Sequence, residues 1–145
     1  HHRPCHKRRS EPENTTMTSN AKPTVAILGA SANRHKFGNK SVRAHLECGY
    51  EVFPVNPRGQ SIEGLTTYAS LAAIDRPQLD RISVYVPPEV GLELLESMLE
   101  KGTPEIWLNP GSESPELIQR GRELGLAFVV GCSIVDLGVT PDQFP

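Results

Sequence analysis

The chain has no apolar run of about 20 residues, the length a helix needs to cross a bilayer, so no membrane-spanning segment is expected. It has no surplus of basic residues either. Its formal net charge of −2 argues against a general nucleic-acid binder. Cysteine is scarce: Cys5, Cys48 and Cys132 are odd in number, widely spaced and without a C-x-x-C pair. That pattern indicates neither a zinc site nor a disulfide framework, and it suits a reducing, cytoplasmic compartment. There is no G-x-x-x-x-G-K-[ST] phosphate loop and no G-x-G-x-x-G dinucleotide fingerprint. No Ser/His/Asp order, metal-ligand cluster or converging carboxylate pair occurs, and Asp136 is a lone acid near the end. No catalytic constellation assembles, and the chain does not read as an enzyme.

What remains is an ordinary globular composition, 37% hydrophobic and 22% charged over 145 residues, which suits one domain with a real core. Residues 1–22 stand apart. They are polar and aperiodic, include the run Lys7-Arg8-Arg9, and lack the apolar stretch of a secretory signal. A flexible tail is expected there, with the folded domain at 23–145. Charge within that domain is uneven. Residues 24–58 carry five basic against two acidic side chains, whereas residues 59–145 carry five against thirteen.

The domain alternates short apolar runs with amphipathic ones. Strands are expected at Thr24–Leu28, Glu51–Val55, Arg81–Val86, Glu105–Leu108 and Leu126–Val130. Pro54 inside the second marks an exposed or irregular end. The first helix is expected over Lys40–Cys48, with Asn39 as its N-cap and Val42 and Leu46 on its buried face. Tyr68–Ile74 reads as a short helix. Another helix opens at Pro87 and Pro88, buries Val90, Leu94, Leu95, Met98 and Leu99, and stops at Gly102. A last one is capped by Ser114, starts at Pro115 and buries Leu117, Ile118 and Leu124. Ile134 and Val135 add a short final segment. Five strands alternating with helices predict an α/β fold: a single Rossmann-like domain with a doubly wound parallel sheet, here in the order 3-2-1-4-5.

In such a fold the loops that follow strands gather at one edge and form the site. The loop from Gly29 to Asn39, G-A-S-A-N-R-H-K-F-G-N, leads from a strand into a helix and can present backbone N–H groups to an anion. Ser31 serves either a phosphate or its own turn. Arg34 and Lys36 are either phosphate partners or solvated charges. After the second strand stands Asn56, where a nicotinamide site would need an acid to hold the ribose hydroxyls. Pro57 and Arg58 follow, and a guanidinium there suits a phosphate on the ribose. NADP carries one on the 2′ position and coenzyme A on the 3′ position. Tyr85 is either rim packing or a site wall. Trp107 reads as core, Cys48 as a buried filler, His35 as a loop residue facing solvent, and Cys132 as a thiol near the ligand edge.

Taken in order, V-A-I-L-G-A-S, K-F-G-N, V-F-P-V-N-P, V-Y-V-P-P-E, I-W-L-N-P-G-S and G-C-S-I-V-D resemble the CoA-binding domain family, small proteins similar to the N-terminal domain of the succinyl-CoA synthetase alpha subunit. The resemblance covers Thr24 to Asp136. It implies that Gly29, Ala30 and Ser31 start a loop around the CoA pyrophosphate, closed by Phe37, Gly38 and Asn39. It implies an adenosine pocket at Val55, Asn56 and Pro57, with Arg58 near the ribose phosphate, and a wall of Tyr85, Val86 and Pro87. The synthetase's phosphorylated histidine belongs to a second domain with no counterpart here, so ligase activity does not carry over. The expected ligand is coenzyme A or an acyl-CoA, bound without chemistry. An NADP-dependent oxidoreductase or redox sensor is the first alternative, and a dimerising interaction module without ligand is the second. No nucleic acid, membrane or metal is expected, and no motif specifies a protein partner.

Overall fold

The computed structural model describes Cys5 and residues 21–145. The tail expected at 1–22 therefore lies outside the described residues, apart from Cys5, Ala21 and Lys22. The strands are β1 (Thr24–Leu28), β2 (Glu51–Val55), β3 (Arg81–Val84), β4 (Ile106–Leu108) and β5 (Phe128–Val130). The helices are α1 (Phe37–Glu47), α2 (Pro88–Glu93), α3 (Leu95–Glu100), α4 (Pro115–Glu123) and α5 (Ser133–Asp136). Short 3-10 turns occupy Leu71–Ala73 and Pro141–Gln143.

All four strand pairings are parallel. Period-2 alternation sends β1 side chains to both faces of the sheet. Ala26 and Leu28 join Ile82, Val84, Ile106 and Leu108 under Leu95, Met98 and Leu117. Val25 and Ile27 face Val42, Ala44, Ile134 and Leu137. Helices cover both faces, as a buried parallel sheet requires.

The five-stranded, doubly wound α/β class holds, but the strand order is 2-1-3-4-5 rather than 3-2-1-4-5. The reason is visible at Pro54. Tyr68 N–H donates to the Pro54 carbonyl and Asn56 N–H donates to the Tyr68 carbonyl, at 2.9 Å each. Pro54 thus turns its N–H-less side away from β1, so β2 must sit at an edge. The stretch around Tyr68 caps that edge through a single parallel bridge to Val55, and β3 crosses to pair with the far side of β1.

Several element boundaries also differ. α1 starts at Phe37 with Lys36 as N-cap, so Gly38 and Asn39 lie inside the helix. The helix after Pro88 is broken at Leu94 into α2 and α3. Tyr68–Ile74 supplies only one 3-10 turn, and β3 ends before Tyr85. Leu46, Leu99 and Leu124 are exposed rather than buried. Cys48 is buried but is not a free filler: it is disulfide-bonded to Cys5, with the Cα atoms 5.4 Å apart. The expectation of unpaired thiols therefore holds only for Cys132.

A buried ionic cluster fastens the lower end of β3. Arg81, only 4% exposed, pairs with Glu105 at 3.0 Å and Asp136 at 2.5 Å. Its guanidinium lies 5.5 Å from the Tyr50 ring centre and 5.3 Å from that of Trp107. Trp107 is therefore half-buried packing for a cation rather than closed core. His45 Nδ1 lies 2.9 Å from the Ser41 carbonyl, which can only accept, so Nδ1 carries the proton. Its Nε2 then accepts from Arg81 Nη1 at 3.3 Å. Burial first, and the neighbouring Arg81 charge second, push the His45 pKa down to about 3. The imidazole is neutral in the fold.

Candidate functional site

The 2-1-3-4-5 order places a topological switch point between β1 and β3, because the chain leaves these strands toward opposite faces of the sheet. A cavity of about 570 Å³ opens at their carboxyl ends. It gathers Gly29, Ser31, His35, Lys36, Asn56, Arg58 and Tyr85, among others. A second concavity, about 900 Å³, is lined by α4, its cap Ser114 and the preceding Glu113, and shares no residue with the first.

Two glycines shape the floor of the site. Gly29 has φ +89°, and a Cβ there would stand 3.0 Å from the Tyr85 carbonyl carbon. Gly38 lies so close to the Gly29 carbonyl oxygen that any Cβ would overlap it. Together they let the start of α1 dock directly on the end of β1. The N-terminus of α1 opens onto the cavity, with Lys36, Phe37 and Gly38 in its lining. It has no side-chain cap and no acidic residue in its first turn. No acidic side chain of its own first turn offsets its leading N–H groups, which suits an incoming anion.

The second wall comes from the loop after β2. Asn56 Nδ2 donates to the Ala30 carbonyl at 2.7 Å, and Asn56 Oδ1 accepts from the Arg58 N–H at 2.8 Å. One side chain thus joins the two loops and fixes the turn from which the exposed Arg58 projects. Arg34 is turned elsewhere. It pairs with Glu63, N to O 3.3 Å, and does not line the cavity. Asn39 is not a helix cap. It donates to the Ser31 carbonyl at 2.9 Å and to Glu63 Oε2 at 3.0 Å. Glu63, which accepts from both Arg34 and Asn39, holds a left-handed φ of 49°, a conformation that disfavours a side chain. Ser31 Oγ accepts from the Asn33 N–H at 3.0 Å, which is the turn bond, and its O–H still has a proton to donate.

Tyr85 forms the third wall and is anchored from below. Its hydroxyl lies 3.3 Å from Ser133 Oγ, which lies 2.7 Å from Ser83 Oγ. Asn109 Nδ2 donates to Ser83 Oγ at 2.9 Å, and Asn109 Oδ1 accepts from the Ser133 N–H at 2.8 Å. Burial raises the Tyr85 pKa, and the serine hydroxyls only partly oppose it. The phenol therefore stays neutral, a rigid wall rather than an acid.

Of the residues expected at the site, Gly29, Ala30, Ser31, Lys36, Phe37, Gly38, Asn56, Arg58 and Tyr85 line this cavity. Arg34, Asn39, Val55, Pro57, Val86 and Pro87 do not. Val55 is a buried strand residue, and Pro87 is the N-cap of α2. Ala32, Gln60 and Pro110 line it without having been singled out from the sequence, and His35, expected only as a loop residue facing solvent, lines it too. His35 does face solvent, but from the cavity rim. Asn109 and Ser133 lie in the loops after β4 and β5, which the sequence places at this edge, but no role was expected of them. Among the described residues, His35, Lys36 and Arg58 supply the basic nitrogen groups of the lining, and no carboxylate stands with them. In a domain whose acids outnumber its bases, that sign is a property of the site.

The family model for the CoA binding domain matches residues 23–138. The Bacillus subtilis (strain 168) protein YneT is 28% identical over 110 residues, which cover 76% of this chain and 81% of that protein. A conserved hypothetical protein from Pyrococcus furiosus superposes with a TM-score of 0.71 at 35% identity, covering 79% of this chain and 98% of its own. A Thermus thermophilus protein superposes with a TM-score of 0.72 at 32% identity, covering 79% and 87%.

Proposed function

The chain belongs to the CoA binding domain family, and on that premise we propose that the cavity between β1 and β3 holds coenzyme A or an acyl-CoA without acting on it. The observation that carries this reading is the lining. The uncapped start of α1 and three nitrogen side chains, His35, Lys36 and Arg58, meet with no carboxylate among the described residues of the lining. That donor set fits a ligand whose recognition is dominated by phosphates. Gly29, Ala30 and Ser31 with the first turn of α1 hold the pyrophosphate, Asn56 sets the corner, and Arg58 takes the ribose phosphate. Tyr85 walls the far side. Arg34, paired with Glu63, supports the loop and leaves the ligand to Lys36. Val55, Pro57, Val86 and Pro87 act as framework around the pocket.

Thermal melts with CoA, dephospho-CoA, NAD and NADP test the reading. A ligand that binds only the folded state stabilises it by about 2.7 kcal/mol at a hundredfold excess over Kd, which moves the Tm by several degrees. CoA at millimolar concentration is expected to give such a shift and NAD none. A shift with NADP and none with CoA overturns the proposal.

A further inference from the structure

Arg43 lies in the second turn of α1 and outside the cavity lining, yet its guanidinium reaches three separate parts of the chain. Nε donates to Asn39 Oδ1 at 2.7 Å. Nη2 donates to the main-chain oxygens of Arg34, at 2.9 Å, and of Phe144, at 3.0 Å. Nη1 donates to the main-chain oxygen of Pro145 at 3.1 Å. The group also lies 6.0 Å from the centre of the Phe144 ring, itself buried with Val139 and Leu137 in the core on the α1 side of the sheet. Asn39, held by Arg43, is the residue that binds Ser31 and Glu63. A single planar fork therefore ties together both ends of the 31–39 loop, the loop after β2 and the 139–145 segment.

We propose that Arg43 is the positioning residue of the anion loop, and that residues 139–145 form a strap whose main-chain oxygens hold Arg43 in place. The Arg34 carbonyl and the Asn39 amide are the two points at which Arg43 holds the loop. Neither the strap nor Arg43 touches the cavity, so their effect on a ligand runs through the loop's shape. Lysine has a point charge on a flexible stem and cannot span these acceptors at once. The proposal rests on the phosphate-binding reading only for its consequence for affinity. The loop geometry stands on its own contacts.

Amide hydrogen exchange and CoA titration calorimetry on the same variants separate the two. Arg43→Gln, Arg43→Lys and Phe144→Ala are each expected to raise exchange across residues 31–39 at least tenfold. Each is also expected to weaken CoA and dephospho-CoA by the same factor, about tenfold, since the loop serves the pyrophosphate common to both. Arg76→Gln is the stability control. It removes the 2.7 Å ion pair to Glu51 at the other end of β2, and should lower the Tm while leaving loop exchange and affinity unchanged. Arg43→Gln combined with Phe144→Ala should lose no more affinity than either alone, because both break one linkage. Should one variant fail to fold, the other two carry the test. Unchanged loop exchange overturns the positioning role whatever CoA does. Faster exchange with unchanged affinity overturns its link to the site. A wild-type protein that binds neither ligand overturns the phosphate reading instead, while the exchange result still decides the role of Arg43.

Discussion

Gly38 sets its bare α-carbon against the carbonyl oxygen of Gly29, and a methyl group on residue 38 would overlap that oxygen. This contact joins the last residue of the β1 turn to the first turn of α1 and closes the floor of the cavity. The obstacle is backbone, so it cannot rotate away. Gly38→Ala is expected to force α1 off the strand end, with a cost of about 1–3 kcal/mol, the usual range for overpacking. Urea melts should show a lower midpoint with an unchanged slope. A variant as stable as the wild type would mean that the helix start slides freely on the strand.

Arg58 separates the ribose phosphate from the rest of the nucleotide. Its main chain is held by Asn56, so removing the side chain should not disturb the turn. Arg58→Ala is expected to weaken CoA about tenfold or more, the loss of a charge-assisted hydrogen bond, and to leave dephospho-CoA nearly unaffected. Calorimetry with the two ligands reads the difference. Equal losses would remove the role assigned to Arg58.

Much of this was legible in the residues, and the exceptions have physical causes. The unbroken apolar run Val25, Ala26, Ile27 and Leu28 marked a strand of a sheet covered on both faces, and it is buried on both. Pro54 held the strand order too, since a proline with its N–H-less side turned outward belongs at an edge. Read as a local irregularity, it did not forbid placing β2 inside the sheet. The start of α1 was displaced because Asn39 looks like a cap. Its amide instead bonds the Ser31 carbonyl, a contact across eight residues that no local pattern encodes. Leu46, Leu99 and Leu124 fit apolar stripes but lie at their margins, where a few degrees of helix rotation decide exposure. Cys5 and Cys48, 43 residues apart, meet only because the fold brings them together.

His45 gives the fold an acid limit. Its pKa is about 3 in the native state and near 6.5 in an unfolded chain. Between these values the unfolded state binds a proton that the native state refuses. The stabilisation is complete above about pH 6.5 and is lost as pH falls toward 3, at about 1.4 kcal/mol per pH unit. His45→Gln can keep one donor and one acceptor without the titration. Its stability should fall less steeply over that range, as measured by denaturant midpoints at successive pH values. Parallel acid limbs in the two proteins would show that the imidazole is not what titrates.

The Cys5–Cys48 bond closes a loop of 43 residues. In the chain-entropy model a loop of this length is worth about 4 kcal/mol. Reductant should therefore lower the guanidinium midpoint of the wild type, and Cys48→Ser should sit at the reduced midpoint with or without reductant. A wild-type midpoint that ignores reductant would show that the bond adds nothing to stability.

The capping of β2 by Tyr68 also bears on how copies of the protein can meet. At that edge Pro54 has no N–H to offer, while its carbonyl and the Asn56 N–H are already bonded to Tyr68. The other outer strand, β5, pairs only with β4 among the described residues. A filament of sheets grows by joining one edge to a different one, and here the carboxyl half of the β2 edge is already taken up. Strand-to-strand association is therefore expected to favour β5 against the β5 of a second copy, a contact that closes after two copies. The tyrosine that finishes one end of the sheet's edge thereby limits its growth on the other side.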